Sequence, residues 1–151
     1  MTLKAVLFDF NGVIIKDEAI HEQLIEEILI SENLRPSPQE YREVCLGRSD
    51  RACLTELLQR RGRFVTESYL TQLIARKAEA YRRKLEALEK LPIYPGLEDL
   101  MFKIRAAKLP MCVVTGALRS EAELVLSRAK LEQYFSAIVA GDDIKVSKPE
   151  P

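Results

Sequence analysis

Three polar side chains that could act on a phosphate group each follow a short apolar segment of the chain. Asp9 comes after "AVLF", Thr115 comes after "MCVV", and Lys148 stands a few residues beyond "AIVAGDD". A carboxylate can serve as a nucleophile or a metal ligand. A hydroxyl can donate a hydrogen bond to a phosphate oxygen, and an ammonium can neutralise its charge. The three residue types together predict phosphate chemistry if the fold brings them to one place.

The stretch "AVLFDFNGVIIKDE" around Asp9 allows two interpretations. It contains Asn11-Gly12 between apolar residues, and this pattern is the strongest short signal for a β-hairpin. Alternatively, Asp9 ends a buried strand and begins an active-site loop. The residues of the stretch leave both interpretations open.

The elements that must position these side chains alternate between strands and helices at the two ends of the chain. Continuous apolar runs are typical of strands that are covered on both faces. Helical spacing of apolar residues dominates between them. We therefore predict an α/β fold with a doubly wound parallel sheet, in which residues 1–15 and 92–151 form the core and residues 16–91 form an inserted helical block.

In an open sheet of this kind, ligands bind at the carboxyl ends of the strands. Asp9, Thr115 and Lys148 are all predicted near that edge. The segment from Gly116 to Ser120 leads into a predicted helix, whose N-terminal amide groups favour an anion. The expected site is thus a phosphate site at one edge of the sheet.

The composition argues against several other classes of protein. The 23 basic and 23 acidic side chains balance, so we expect no nucleic-acid partner. No apolar run approaches the roughly 20 residues of a membrane span, and the N-terminus has no leader pattern. Cys45, Cys53 and Cys112 are odd in number and widely spaced. They predict small buried residues rather than a disulfide or a metal site, and a location in the reducing cytoplasm. The oligomeric state stays open.

The segments "FDFNGVI", "VVTGA" and "SKPEP", in this order around a helical block, resemble the motifs of the haloacid dehalogenase (HAD)-type hydrolases. The closest subgroup is the β-phosphoglucomutase-like phosphatases with a small helical cap. The resemblance covers essentially the whole chain. It implies a HAD-like, Rossmann-like core with an inserted helical cap, Mg²⁺ as cofactor and a small phosphorylated metabolite as substrate. It also implies that both interpretations of the stretch around Asp9 hold, because a tight turn and a short flap follow the first strand in that family.

Carried over by position, the resemblance assigns Asp9 as the nucleophile that forms an aspartyl-phosphate and binds Mg²⁺. The backbone carbonyl of Asn11 would be a second metal ligand. Thr115 and Gly116 would bind the phosphate, and Lys148 would neutralise its charge.

In the helical block, Gly47 matches the turn of a specificity loop in the family. An arginine expected shortly after this glycine is out of register, because Arg48 and Arg51 flank Asp50. Asp50 itself is predicted to cap the next helix. His21 matches a histidine often found at the start of the cap, and its alternative is an ordinary helix-face histidine. His21, Gly47 and Arg48 are therefore the expected specificity residues.

Two departures from the family pattern bear on activity. Asn11 stands where the phosphatases have a second aspartate that acts as general acid and base, and losing such a group typically costs about 10²–10⁴-fold in rate. The family's fourth, acidic motif has no counterpart after Lys148, so we expect a fragment of a longer hydrolase.

Three functions follow as alternatives. The first is a Mg²⁺-dependent phosphatase-type enzyme, and the second is a catalytically impaired relative that binds phosphate or a partner. The third, a phospho-receiver domain, also uses Asp, Thr and Lys at strand ends. It is disfavoured because a helical block directly follows the strand that carries Asp9.

Overall fold

The computed structural model describes residues 2–150. The elements of this part of the chain are, in order, β1 (Val6–Phe8), α1 (Glu18–Ser31), α2 (Pro38–Val44), α3 (Asp50–Arg60), α4 (Glu67–Ala87), α5 (Leu97–Ala106), β2 (Met111–Val114), α6 (Arg119–Arg128) and β3 (Ala137–Val139). Short 3₁₀ turns span Glu132–Tyr134 and Gly141–Asp143. The described residues divide into two compact units, a core unit of residues 2–17 and 88–145 and a helical unit of residues 18–87 and 146–150.

The core unit contains a parallel sheet with the strand order β1-β2-β3. Phe8 pairs with Val113 across the first two strands, and Val113 pairs with Ile138 across the next two. β1 therefore lies at the edge of the sheet, where the Leu7 side chain is 66% exposed. The predicted parallel α/β core is confirmed.

Both helices of the core unit bury apolar side chains. The buried residues of α5 include Leu97 and Met101, and those of α6 include Val125 and Leu126. The ring of Phe8 meets that of Phe135 edge-on, with 5.8 Å between the ring centroids.

Helices α1 to α4 form the helical unit, and two serines begin two of them. Ser37 Oγ accepts a hydrogen bond from the backbone of Glu40 at the start of α2, and Ser49 Oγ accepts one from Ala52 at the start of α3. The prediction that Asp50 caps α3 is therefore wrong. The serine one position earlier satisfies the helix N-terminus, and this leaves the Asp50 carboxylate for another contact.

The prediction for two of the cysteines is also wrong, because Cys45 and Cys53 form a disulfide. Eight residues separate them in sequence, but the turn between α2 and α3 folds back and brings their Cα atoms to 4.6 Å. Cys112 is a free cysteine. The bond also removes one ground for expecting a cytoplasmic location, since disulfides are rare in cytosolic proteins.

The end of the described chain differs from the predicted division. Residues 146–150 were assigned to the core, but they group with the helical unit. Ser147 Oγ lies 3.2 Å from Ser49 Oγ within that unit. No helix among residues 2–150 is both long and apolar enough to cross a membrane.

Candidate functional site

Asp9 and Thr115 lie at the carboxyl ends of neighbouring strands in the core unit. β1 and β2 run parallel and pair Phe8 with Val113, so the residues that follow the two strands reach the same edge. Adjacent strands are about 4.8 Å apart. Asp9 is exposed, whereas Thr115 is buried. This edge, where open α/β sheets bind ligands, therefore carries Asp9 at the end of β1 and Thr115 at the end of β2.

A tight turn follows Asp9, as one of the two interpretations of the stretch required. The backbone N–H of Ile14 donates to the carbonyl of Phe10 at 2.8 Å, and that of Gly12 donates to Ile15 at 2.9 Å. Gly12 has a φ of +76°, a backbone region that glycine enters without steric cost. The turn holds Asn11 two residues beyond Asp9.

The side chain of Asn11 is oriented by a carboxylate. Its Nδ2 donates a hydrogen bond of 2.8 Å to Oδ2 of Asp17, and Asp17 is fully buried. Because the amide nitrogen points to Asp17, the amide oxygen is the end of the side chain that points the other way. Position 11 thus offers a hydrogen-bond acceptor, and it has no exchangeable acid proton.

The loop after β2 holds the Thr115 hydroxyl in place. Thr115 Oγ1 accepts a hydrogen bond of 3.0 Å from the backbone of Ala117, and the Thr115 N–H donates to Val139 at 2.9 Å. A hydroxyl that accepts one bond still has its own hydrogen to donate. The loop therefore fixes the position of the Thr115 hydroxyl, and its role as a donor to a phosphate oxygen stays a prediction.

The start of the loop after β3 packs directly on the loop after β2. A Cβ atom on Gly141 would lie 2.2 Å from the carbonyl oxygen of Gly116, so only glycine fits at this position. The Gly141 N–H donates to the carbonyl of Ala117 at 2.7 Å. This close approach fixes the backbone around Gly116.

Asp142 and Asp143 secure the start of α6. The backbone N–H of Arg119 donates to Asp142 Oδ1 at 2.8 Å, and the Arg119 guanidinium pairs with Asp143. A hydrogen bond from the backbone of Ala140 and the Arg119 charge hold the pKa of Asp143 below its ordinary value. These two carboxylates are thus tied to α6.

The residues present fit the predicted Mg²⁺ in the number and type of oxygen ligands. Mg²⁺ is commonly bound by one or two carboxylates and keeps several waters. The Asp9 carboxylate, whose Oδ1 accepts a bond of 2.8 Å from the backbone of Phe10, and the backbone carbonyl of Asn11 are oxygen donors on one turn. No cluster of three or more His, Cys, Asp or Glu side chains suited to a metal occurs among residues 2–150.

The remaining predicted site residues lie in the helical unit. Lys148 belongs to it through residues 146–150, and His21 lies in α1. Gly47 has a φ of +74° in the turn after α2. The Arg48 guanidinium donates to the carbonyl of Val44 at 3.1 Å and pairs with Glu56. The charge of Arg48 is therefore already balanced within the unit.

A buried charge cluster forms the polar centre of the helical unit. The Lys77 side chain is fully buried, and its Nζ lies 2.7 Å from Asp50 Oδ1 and 2.8 Å from His21 Nδ1. An ammonium has only donors, so His21 Nδ1 is the acceptor of this hydrogen bond. The His21 ring stacks on Tyr81 with 4.7 Å between centroids. His21 is thus a fixed member of a charged group.

Tyr41 lies near the acidic residues Glu18, Glu22 and Asp50. Its phenol donates a hydrogen bond of 2.5 Å to Glu18. Burial raises the pKa of the Tyr41 phenol well above its ordinary value, and the bond to Glu18 and the nearby charges of Glu18, Asp50 and Glu22 raise it further. Tyr41 therefore stays neutral and acts as a donor.

The sequence reasoning missed Lys77, and a signal for it existed. The buried residues of α4 are Leu70, Leu73, Ile74, Lys77, Tyr81 and Leu85. Their spacing of three and four residues defines one helix face, and Lys77 is the only charge on it. A cation in an apolar stripe needs a partner, but the sequence does not show that Asp50 provides it.

Comparison with known proteins identifies the family. Residues 6–151 match the family described as "Haloacid dehalogenase-like hydrolase". The chain belongs to this family. The predicted class of enzyme and its subgroup, the β-phosphoglucomutase-like members, are thereby confirmed.

Among its relatives, this haloacid dehalogenase-like hydrolase is 29% identical over 147 residues to the fructose-1-phosphate phosphatase YqaB of Escherichia coli, covering 97% of this chain and 73% of the relative. It is 25% identical over 149 residues to a phosphorylated carbohydrates phosphatase of Thermotoga maritima, and the match covers 99% of this chain and 66% of the relative. The structure of β-phosphoglucomutase from Clostridium difficile matches with a TM-score of 0.87 and 18% identity. The match covers 99% of this chain and 67% of that structure. The chain thus spans about two thirds of the length of these relatives.

Proposed function

We propose that this chain carries the nucleophile of a Mg²⁺-dependent phosphatase that hydrolyses phosphate esters of small, sugar-like metabolites in the cytoplasm. The observation that carries the proposal is the position of Asp9 and Thr115 at the carboxyl ends of neighbouring parallel strands. The relatives named for phosphorylated carbohydrates and for fructose-1-phosphate support the class of substrate.

In the proposed reaction, a carboxylate oxygen of Asp9 forms a bond to phosphorus while the ester P–O bond breaks. The products are an aspartyl-phosphate and the alkoxide of the metabolite, which takes a proton. Water then attacks the phosphorus, releases inorganic phosphate and restores the Asp9 carboxylate. Thr115 and the backbone at Gly116 bind the phosphate oxygens.

Mg²⁺, held by the Asp9 carboxylate and the Asn11 carbonyl, would supply further neutralisation of the phosphate charge. When Asp9 acts as the nucleophile, its negatively charged carboxylate must approach the negatively charged phosphate. The hydrogen-bond donors at Thr115 and Gly116 reduce the repulsion between the Asp9 carboxylate and the phosphate. We therefore predict that Asp9 is essential for turnover, whereas Thr115 contributes both to binding of the phosphate and to the reaction rate.

A second candidate function, phosphate binding with little turnover, is favoured by Asn11. The amide is held by Asp17 and has no proton to give the leaving alkoxide, which must then take its proton from water. The absence of a general acid typically costs about 10²–10⁴-fold in rate. Binding of the phosphoester does not need that proton and is unaffected.

A steady-state assay on fructose 1-phosphate with Mg²⁺ tests both candidates, with the wild type compared with Asn11→Asp and Asp9→Asn. We expect slow turnover by the wild type, a gain of about 10²–10⁴-fold in Asn11→Asp and none in Asp9→Asn. Since Asn-Gly is prone to deamidation, peptide mapping must show that position 11 of the wild type is still asparagine. No turnover in any variant, with phosphate bound in calorimetry, would leave phosphate binding as the function.

His21, Gly47 and Arg48 of the helical unit are proposed as the residues that determine substrate specificity. Because Arg48 is paired with Glu56 and Lys77 with Asp50, neither cation is offered to a second phosphate. We therefore expect fructose 1-phosphate to be preferred over fructose 1,6-bisphosphate. Glu56→Gln, which releases Arg48, should raise the relative rate for the bisphosphate, and an unchanged ratio would contradict this assignment.

A further inference from the structure

The disulfide between Cys45 and Cys53 closes a ring around the segment that joins α2 to α3. Both cysteines are buried, at 5% and 2% exposure, but Leu46 inside the ring is 51% exposed and Gly47 is also exposed. The ring is therefore a surface turn that is anchored by two buried sulfur atoms.

We propose that Cys45 and Cys53 form a reversible redox site that controls the conformation of this segment and, through Asp50, the buried charge cluster at Lys77. In the closing reaction, a low-molecular-weight disulfide such as oxidised glutathione reacts with the two thiols. The protein S–S bond forms, the S–S bond of the reagent breaks, and two thiol molecules are released. A dithiol or an excess of monothiol reverses the reaction.

The coupling to the charge cluster follows from the residues that the ring encloses. Ser49 caps α3 through the backbone of Ala52, and Asp50 is the first residue of that helix. Asp50 is also the carboxylate that pairs with Lys77 at 2.7 Å. A cross-link between Cys45 and Cys53 limits the movement of both Ser49 and Asp50, so it keeps the counter-charge of Lys77 in place.

The rest of the helical unit has contacts that do not depend on the disulfide. Ser37 caps α2, Tyr41 bonds to Glu18, and α3 buries Leu54, Leu57 and Leu58. Reduction is thus expected to leave the helices folded and to loosen the turn between them. This separation of effects distinguishes a redox site from a disulfide on which folding depends.

Limited trypsin digestion provides the first test, because Arg48 and Arg51 both lie inside the ring. The full chain is incubated with oxidised or reduced glutathione, and free thiols are counted by alkylation under denaturing conditions. We expect one thiol after oxidation and three after reduction. Cleavage after Arg48 or Arg51 should be faster in the reduced form by on the order of tenfold, relative to cleavage after Lys108 in the core unit, and Cys112→Ser should behave like the wild type.

The second test measures the coupling to Lys77 with an amine-reactive succinimidyl ester. Labelling of Lys77 should rise on reduction and in Cys45→Ser, whereas labelling of Lys84, which is 31% exposed, should stay constant. Circular dichroism of both forms should show the same helix content. Three free thiols after oxidation, or a disulfide whose reduction changes neither the trypsin cleavage nor the Lys77 labelling, would overturn the proposal. Neither readout depends on phosphatase activity, so the proposed function can fail independently.

Discussion

The Asn11 amide, two residues after the exposed Asp9, donates a hydrogen bond of 2.8 Å to the buried Asp17 carboxylate. The contact determines what a carboxyl group at position 11 would meet. In Asn11→Asp, the new carboxyl group would lie against the Asp17 carboxyl group. Two carboxyl groups this close cannot both ionise easily. The carboxyl group introduced at position 11 is therefore expected to hold its proton to a higher pH than an isolated aspartate.

The pH–rate profile of Asn11→Asp tests this expectation. The limb on which activity falls with rising pH should lie at higher pH in Asn11→Asp than in Asn11→Asp/Asp17→Asn, because the second variant removes the neighbouring negative charge. Wild type and Asp17→Asn are the matched controls for the Asp17 substitution alone. Coincident profiles of the two active variants would show that Asp17 does not act on position 11.

Removal of the Asp50 carboxylate is expected to destabilise the helical unit strongly. Asp50→Ala leaves the fully buried Lys77 ammonium without its counter-charge, and breaking a buried pair in this way costs about 3–5 kcal/mol. Lys77→Met removes the buried charge and keeps an apolar chain of similar length, so its cost should be clearly smaller. Urea unfolding at neutral pH measures both variants, and equal losses would mean that the charge of Lys77 does not determine the effect.

Tyr41 should make the protein sensitive to alkali. Burial and the bond to Glu18 raise the folded-state pKa of its phenol above the ordinary value of 10.0. Below that value the phenol is protonated in both states, so its contribution to the free energy of unfolding is fully present. As the pH rises further the unfolded chain loses the proton first, and the contribution is lost progressively toward the folded-state pKa.

Tyr41→Phe removes this contribution. The variant should be less stable than the wild type near pH 8, by about 0.5–1.5 kcal/mol for the lost hydrogen bond. Its free energy of unfolding should then decline less steeply between roughly pH 10 and 12, just above the ordinary pKa of tyrosine. The pKa of Tyr69 is also raised, by its hydrogen bond to Glu32. The free energy of unfolding of Tyr41→Phe/Tyr69→Phe should therefore depend even less on pH in this range. Parallel curves for wild type and Tyr41→Phe would disprove the assignment.

Gly141 and Gly12 should respond differently to alanine. Gly12→Ala meets no atom within 4 Å and is strained only by its φ of +76°, which costs about 1–2 kcal/mol. Gly141→Ala places a methyl group against the backbone of Gly116, so the loop after β2 must move. We expect a larger loss of stability and weaker binding of inorganic phosphate in calorimetry. If Gly141→Ala binds phosphate as tightly as the wild type, the loop after β2 is not part of the phosphate-binding site.

The fold and half of the candidate site could be predicted from the sequence, because short-range patterns specify them. Apolar runs ending in Asp9 and Thr115 indicated parallel strands, and the carboxyl ends of parallel strands meet at one edge. The turn at Asn11-Gly12 was predictable for the same reason, since its geometry depends on adjacent residues. The family resemblance supplied the roles, and the match of residues 6–151 confirms the family.

Only the tertiary structure decided the partners of the buried polar groups. Nothing in the spacing shows that Lys77, from the middle of α4, meets Asp50 at the start of α3, or that Asn11 donates to Asp17. Cys45 and Cys53 looked too far apart to bond until the turn between α2 and α3 brought their Cα atoms to 4.6 Å. Local patterns fix where a strand or helix forms, whereas the pairing of charges and thiols depends on how those elements pack, and packing involves residues distant in sequence.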